Sequence, residues 1–190
     1  MPDHFATLAQ PRRPWLDPGA LRESFHRAAA QHHPDAAGGG AERFAALNTA
    51  HAILREPGTR LRHLLELEAP ALLVRAAPIP PALGDLFMQL AASRNTLEGF
   101  LPKQSAAGSP LARALLAAEK TALRRALETA LAQLDAAHAD ALAELRAIDA
   151  AWATAATAAD LENLAPLQAR FAFLTKWTAH LREDLFKLGT

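Results

Sequence analysis

Apolar residues recur along this chain at steps of three and four, the spacing of one helical face. Residues 4–9 can form a short first helix, after which Pro11, Pro14 and Pro18 interrupt the chain. Asp17-Pro18 reads as a helix start, an acceptor at the cap followed by proline at the first helical position. The helix that follows carries Leu21, Phe25, Ala28, Ala29 and His32 on one side and Arg22, His26 and Arg27 on another. Pro34 stops it, because the residue before a proline is pushed out of the helical region. A loop through Gly38-Gly39-Gly40 leads into a helix over 41–55 with Phe44, Leu47, Ala50, Ile53 and Leu54 as its stripe. Glu56-Pro57-Gly58 ends that helix, and 59–68 forms another with Leu61, Leu64, Leu65 and Leu67.

Pro70, Pro78, Pro80 and Pro81 make 69–81 a stiff linker and the best domain boundary. Beyond it, 83–101 is an amphipathic helix with Leu83, Leu86, Leu90, Leu97 and Leu101 inward, and 102–110 reads as a loop. From 111 to 152 the apolar set Leu116, Leu123, Leu127, Leu134, Leu145, Ile148 and Trp152 predicts a helix about 60 Å long, which needs partners along its length. A turn is expected over 153–159, then a last helix capped by Asp160 and running to 188, with a kink at Pro166. The pattern predicts an all-α protein: an N-terminal domain over 1–68, the linker 69–81, and an antiparallel three-helix bundle over 82–190. Alanine and leucine dominate the apolar half of the composition, while valine and isoleucine are scarce, which agrees with helix throughout.

Charge and cysteine usage narrow the function. Lys plus Arg and Asp plus Glu both number 20, so nothing attracts the chain as a whole to nucleic acid or anionic membrane. With no cysteine, disulfides, thiolate metal sites and cysteine nucleophiles are excluded. No apolar run approaches a membrane span, and the N-terminus does not read as a signal peptide, so a cytoplasmic monomer is the expectation. No nucleophile–base pair, phosphate loop or metal-ligand spacing appears; no enzyme, cofactor or metal site is expected.

The tripeptide His33-Pro34-Asp35 gains meaning from its place between two amphipathic helices. An aspartate held in a loop behind a proline can present both oxygens to a partner's arginine as a bidentate pair. Arg22 and Arg27 add a small positive face able to steer towards an acidic surface. Downstream, Asn48, Ala50, Leu54, Pro57, Arg60, Leu64 and Leu65 keep a distinctive spacing. In the second half, Met88 lies about 200° from Leu86 and so faces away from the buried stripe, with Phe87 and Ala91 on the same edge, a placement that suits a partner site. The last helix carries Phe173-Leu174-x-Lys176.

With His33-Pro34-Asp35 in place, residues 1–68 resemble a J domain, and the spacing from Asn48 to Leu65 resembles that of HscB, the co-chaperone of iron–sulfur cluster assembly. The resemblance implies that Arg22, His26, Arg27, His33, Pro34 and Asp35 dock on a DnaK- or HscA-type chaperone and stimulate its ATPase, the ATP being bound by that partner. It also implies that Phe87, Met88, Ala91 and Phe173 bind an IscU-like cluster scaffold. Three departures stand out. Ala36 replaces a usual lysine, Ala30 and Gln31 lack the usual positive charge, and Ala91 replaces a larger aliphatic residue. Two alternatives stay open, a J-domain adaptor for another client and a non-stimulating interaction protein of J-like fold. For Phe87 and Phe173 a simple core role stays open as well. Trp152 and Trp177 read as core, Trp15 as packing on the first helices, His51, His63, His138 and His180 as scattered, and the alternating Arg and Glu over 119–146 as a solvated face.

Overall fold

The structure, a computed structural model, describes residues 1–33, 40–73, 81–152 and 157–189. Seven α-helices appear among them: α1 (His4–Thr7), α2 (Pro18–His32), α3 (Ala41–Arg55), α4 (Pro57–Glu68), α5 (Pro81–Ala106), α6 (Pro110–Ala151) and α7 (Ala158–Gly189), with one 3₁₀ turn, Pro70–Leu72, and no strand. None of the described helices is long and apolar enough to cross a membrane.

Local chemistry sets the boundaries. Asp17 caps α2 by accepting the Ala20 N–H at 2.8 Å, with Pro18 at the first helical position. His33 ends α2 in an extended conformation (φ −58°, ψ 139°), as a residue before proline should. α1 is shorter than its apolar pattern predicts. Ala9 turns left-handed (φ 50°), and the Gln10 and Ala9 N–H groups donate to the Phe5 and Ala6 carbonyls, closing the helix end.

Two expected ends move. The predicted loop over 102–110 is mostly helix: α5 continues to Ala106 and carries Pro102 within it. Buried Phe100 and the Lys103–Glu119 ion pair at 2.8 Å hold that last stretch against α6, while Pro102 faces solvent. α7 starts two residues before Asp160. Thr157 Oγ1 accepts the Asp160 N–H at 3.2 Å and the Asp160 carboxylate accepts the Thr157 N–H at 3.0 Å, a capping box with Thr157 as the cap. The Thr157 hydroxyl also donates to that carboxylate at 2.7 Å, which holds Asp160 below the usual carboxylate range.

Contacts divide the chain into two compact units. Unit 1 is Met1–Ala77 with Ala141–Ala172, and unit 2 is Pro78–Asp140 with Phe173–Thr190. The partition differs from a cut at 69–81 alone, because the end of α6 and the start of α7 group with the N-terminal residues.

In unit 1, α3 packs on α1, α2 and α4. Phe25 stacks on His51 at 4.3 Å and His33 meets Phe44 edge-on at 5.4 Å, so α2 and α3 run antiparallel. Leu21, Leu47, Ala50, Leu54, Leu61, Leu64 and Leu65 are buried, as the stripes predict. Arg60, 2 % exposed, donates from Nε to the Pro14 carbonyl (2.8 Å) and from Nη1 to the Leu54 carbonyl (2.7 Å), tying the end of α3 to the proline-rich segment. Burial pulls its guanidinium down to about 10. Arg13 clasps Asp149 through Nε and Nη2 at 3.1 and 2.9 Å, and the same carboxylate accepts the Trp15 N–H. The Arg146 guanidinium lies over the Trp15 ring at 4.4 Å. Trp15 thus packs against α6 as well as α4, because Asp149 fixes its backbone.

In unit 2, Leu83, Leu86, Leu97 and Phe100 of α5, Leu123, Leu127 and Leu134 of α6, and Leu174, Trp177, Leu181 and Leu188 of α7 are buried. Lys103 pairs with Glu119 across α5 and α6, and Phe87 meets Trp177 at 5.5 Å across α5 and α7. Leu90 and Leu101, read as inward, are half-buried.

Candidate functional site

Two surfaces carry the residues singled out by sequence, one on each unit. On unit 1, Arg22, His26 and Arg27 are all exposed on α2. Arg22 and His26 stand one turn apart, and His33 follows at the exposed end of the same helix. The capped start at Asp17 and the break at His33 together fix which side of α2 these groups occupy. Phe25, on the opposite side, anchors α2 to α3 through His51. Burial lowers the His51 pKa from its ordinary value, with the Arg55 and His26 charges acting the same way. Pro34 and Asp35 lie outside the described residues, as does Ala36. What the structure brings together is therefore an exposed basic edge on α2 that runs to His33.

On unit 2, the adjacent residues Phe87 and Met88 are exposed, 40 % and 67 %. Met88 points away from the Leu83–Leu86 stripe, as its angular position predicts. Phe87 and Phe173 both contact the ring of Trp177, each at 5.5 Å between centroids. Phe87 and Ala91 line a cleft of about 180 Å³ with Leu90, Arg94, Trp177 and Asp184. Met88 and Phe173 do not line it: Met88 stands exposed on α5, and Phe173 supports Trp177 from one turn away. Three of the four expected residues thus gather around Trp177, Phe87 and Ala91 in the cleft and Phe173 against the ring, while Met88 stands exposed beside Phe87 on α5.

The pattern of the sequence places Trp177 in the core and does not mark Arg94 or Asp184, yet all three line the cleft. Trp177 is indeed buried, at 8 % exposure, yet its remaining surface faces the cleft. Asp184 is the residue with a legible signal. Counting from Leu174 through Trp177 and Leu181 in steps of three and four lands on it, a carboxylate where an apolar residue is due.

No group of three or more potential ligating side chains that could hold a metal ion occurs among the described residues. The arrangement offers surfaces for binding: a basic helical edge on one unit and an apolar, tryptophan-backed cleft on the other. A comparison of the chain with protein-family models and one with curated proteins each gave no match.

Proposed function

We propose that the chain is a co-chaperone similar to HscB, with an N-terminal J domain, 1–68, that docks on a DnaK- or HscA-type chaperone and stimulates its ATPase, and a C-terminal antiparallel three-helix bundle, 82–190, that presents an iron–sulfur cluster scaffold. The observation that carries the reading is the α2–α3 hairpin, with Arg22, His26, Arg27 and His33 exposed along α2, and with Pro34 and Asp35 the next two residues in the sequence. The hairpin supplies rigidity, and the His33-Pro34-Asp35 motif supplies recognition. In this reading the chain does no chemistry itself; the chaperone binds and hydrolyses ATP. Exposed Phe87 and Met88 beside the Trp177 cleft support the second half, since apolar side chains left in water are recovered by a partner's apolar surface.

ATP turnover by a DnaK-type chaperone, measured with and without this protein, tests the first half. Wild type is expected to raise the rate and Asp35→Asn to abolish the increase while leaving the circular dichroism spectrum unchanged. Equal stimulation by the two proteins sinks the docking claim. Calorimetry against the scaffold tests the second half, with Phe87→Ser expected to remove most of the binding heat. A second reading, in which the bundle presents another client, is favoured by one feature: the small Ala91 opens the cleft rather than filling it.

A further inference from the structure

Asp184 occupies a position that the architecture of unit 2 reserves for apolar side chains. Leu174, Trp177, Leu181 and Leu188 share its stripe on α7 and are buried, and Asp184 itself is only 5 % exposed. Among the described residues its carboxylate accepts no hydrogen bond and joins no ion pair. Its oxygens are not fully enclosed, so they open on the cleft, where a partner's donor can replace water. The cations nearest in the cleft have other partners or neighbours. Arg94 pairs with Glu98 at 3.5 Å, and His180 lies beside Glu183. Glu183 in turn is held below its usual range by the Lys187 ammonium at 2.7 Å, with smaller contributions from His180 and Arg94.

Apart from Asp184, Arg94 and His180, the lining of the cleft is apolar. Phe87, Leu90, Ala91 and Trp177 surround a volume of about 180 Å³, room for one long side chain. A flat aromatic wall, an aliphatic rim and an unpaired carboxylate together select a side chain with an apolar stem and a cationic head. Arginine fits better than lysine, because a guanidinium can lie on the Trp177 ring and still donate two parallel hydrogen bonds to one carboxylate. We infer that the cleft is a socket for an arginine of the protein that docks on the Phe87–Met88 face, with Asp184 as its specificity determinant. This inference deepens the scaffold-binding reading and rests on it for the identity of the partner.

Two measurements on the 190-residue chain separate the outcomes. The first is calorimetry of wild type and Asp184→Asn against the cluster scaffold, paired with thermal melts. The socket requires affinity to fall at least tenfold while the melting temperature holds or rises. Unchanged affinity, or a lowered melting temperature, means that Asp184 serves the fold and overturns the socket. The second uses benzylguanidinium and the neutral benzyl alcohol as probes, read at the Trp177 indole N–H by nuclear magnetic resonance. The cation is expected to shift that signal in wild type and not in Asp184→Asn, and the alcohol to leave it unmoved. A selective cation response without scaffold binding would keep the socket and reject the scaffold. Scaffold binding with no cation response would do the reverse.

Discussion

In unit 1 the buried ions are tied to distant segments, with Arg60 Nη2 the one guanidinium nitrogen among the described residues that is enclosed without a partner. Arg60 gives two hydrogen bonds to backbone carbonyls, and Asp149 receives Arg13 and the Trp15 N–H. In unit 2 the buried Asp184 receives nothing from the described residues, and Phe87, Met88, Leu111, Leu115 and Phe186 stand exposed. Unit 1 exposes only Met1 among its large described apolar side chains. Both units draw on the same alanine- and leucine-rich composition, so the difference lies in placement rather than in content. A charge used for cohesion sits among donors and carbonyls that arrive from distant segments, as Asp149 does across more than a hundred residues. In the proposed socket the carboxylate is instead left open to a partner's donor. The contrast separates what holds the molecule together from what it holds out to others.

The most severe way to test the cohesive side is Arg60→Ala. It strips the Leu54 and Pro14 carbonyls of their donors inside a buried region and leaves a void beneath Trp15. The expected loss is about 3 kcal/mol, from buried acceptors left unpaired. Urea denaturation followed by circular dichroism measures it. A loss below about 1 kcal/mol would mean that the tie between α3 and the proline-rich segment is ornamental.

Next in size is a matched pair, Asp149→Leu and Asp184→Leu, which replaces each buried carboxylate by the residue its stripe favours. Removing Asp149 takes away the Arg13 clasp and the acceptor of the Trp15 N–H, an expected loss of about 2 kcal/mol, moderated because Arg13 is partly solvated. Replacing Asp184 extends the buried apolar stripe of Leu174, Trp177, Leu181 and Leu188, an expected gain of about 1 kcal/mol. Opposite signs sustain the comparison between the units; equal signs break it.

Much of the helical frame was legible because its punctuation is local. Proline after Asp17, proline after His33, and Glu56-Pro57-Gly58 act on their own neighbours, so α2, α3 and α4 begin and end close to where the sequence places them. The exposure of Met88 was legible for the same reason, as an angle along one helix. What the sequence hid depends on distant partners. The tail of α5 reads as a loop because Pro102, Ser105 and Gly108 are poor helix residues, yet burial of Phe100 and the pairing of Lys103 with Glu119 carry the helix to Ala106. Asp149 lies just past a run of alternating charges that reads as solvated face. Only the arrival of Arg13 and Trp15 distinguishes it from its neighbours. Arg60 resembles a family marker in the sequence, and its structural task appears only when the Pro14 and Leu54 carbonyls are seen around it.

The smallest expected effect is the response of unit 1 to acid, which arises at His63. Its ring is buried, and Nε2 accepts the His4 backbone N–H at 3.1 Å, a bond that only the imidazole without a proton on Nε2 can make. Burial lowers the His63 pKa below its ordinary 6.5, the His4 charge adds to the effect, and Glu66 at 3.8 Å and Asp3 oppose it without reversing it. The His4 pKa is lowered as well, again mainly by burial. A histidine that protonates less readily when folded takes up its proton more readily on unfolding. Its stabilising contribution is therefore present above about pH 6.5 and declines as the pH falls towards the folded value. Thermal melts between about pH 7.5 and 5.5 should show a falling melting temperature, and His63→Leu should flatten the slope without abolishing it, since His4 and His51 shift in the same direction. A slope unchanged by His63→Leu would mean that the acid response comes from elsewhere, and that the His4–His63 bond does not report on the cohesion of unit 1.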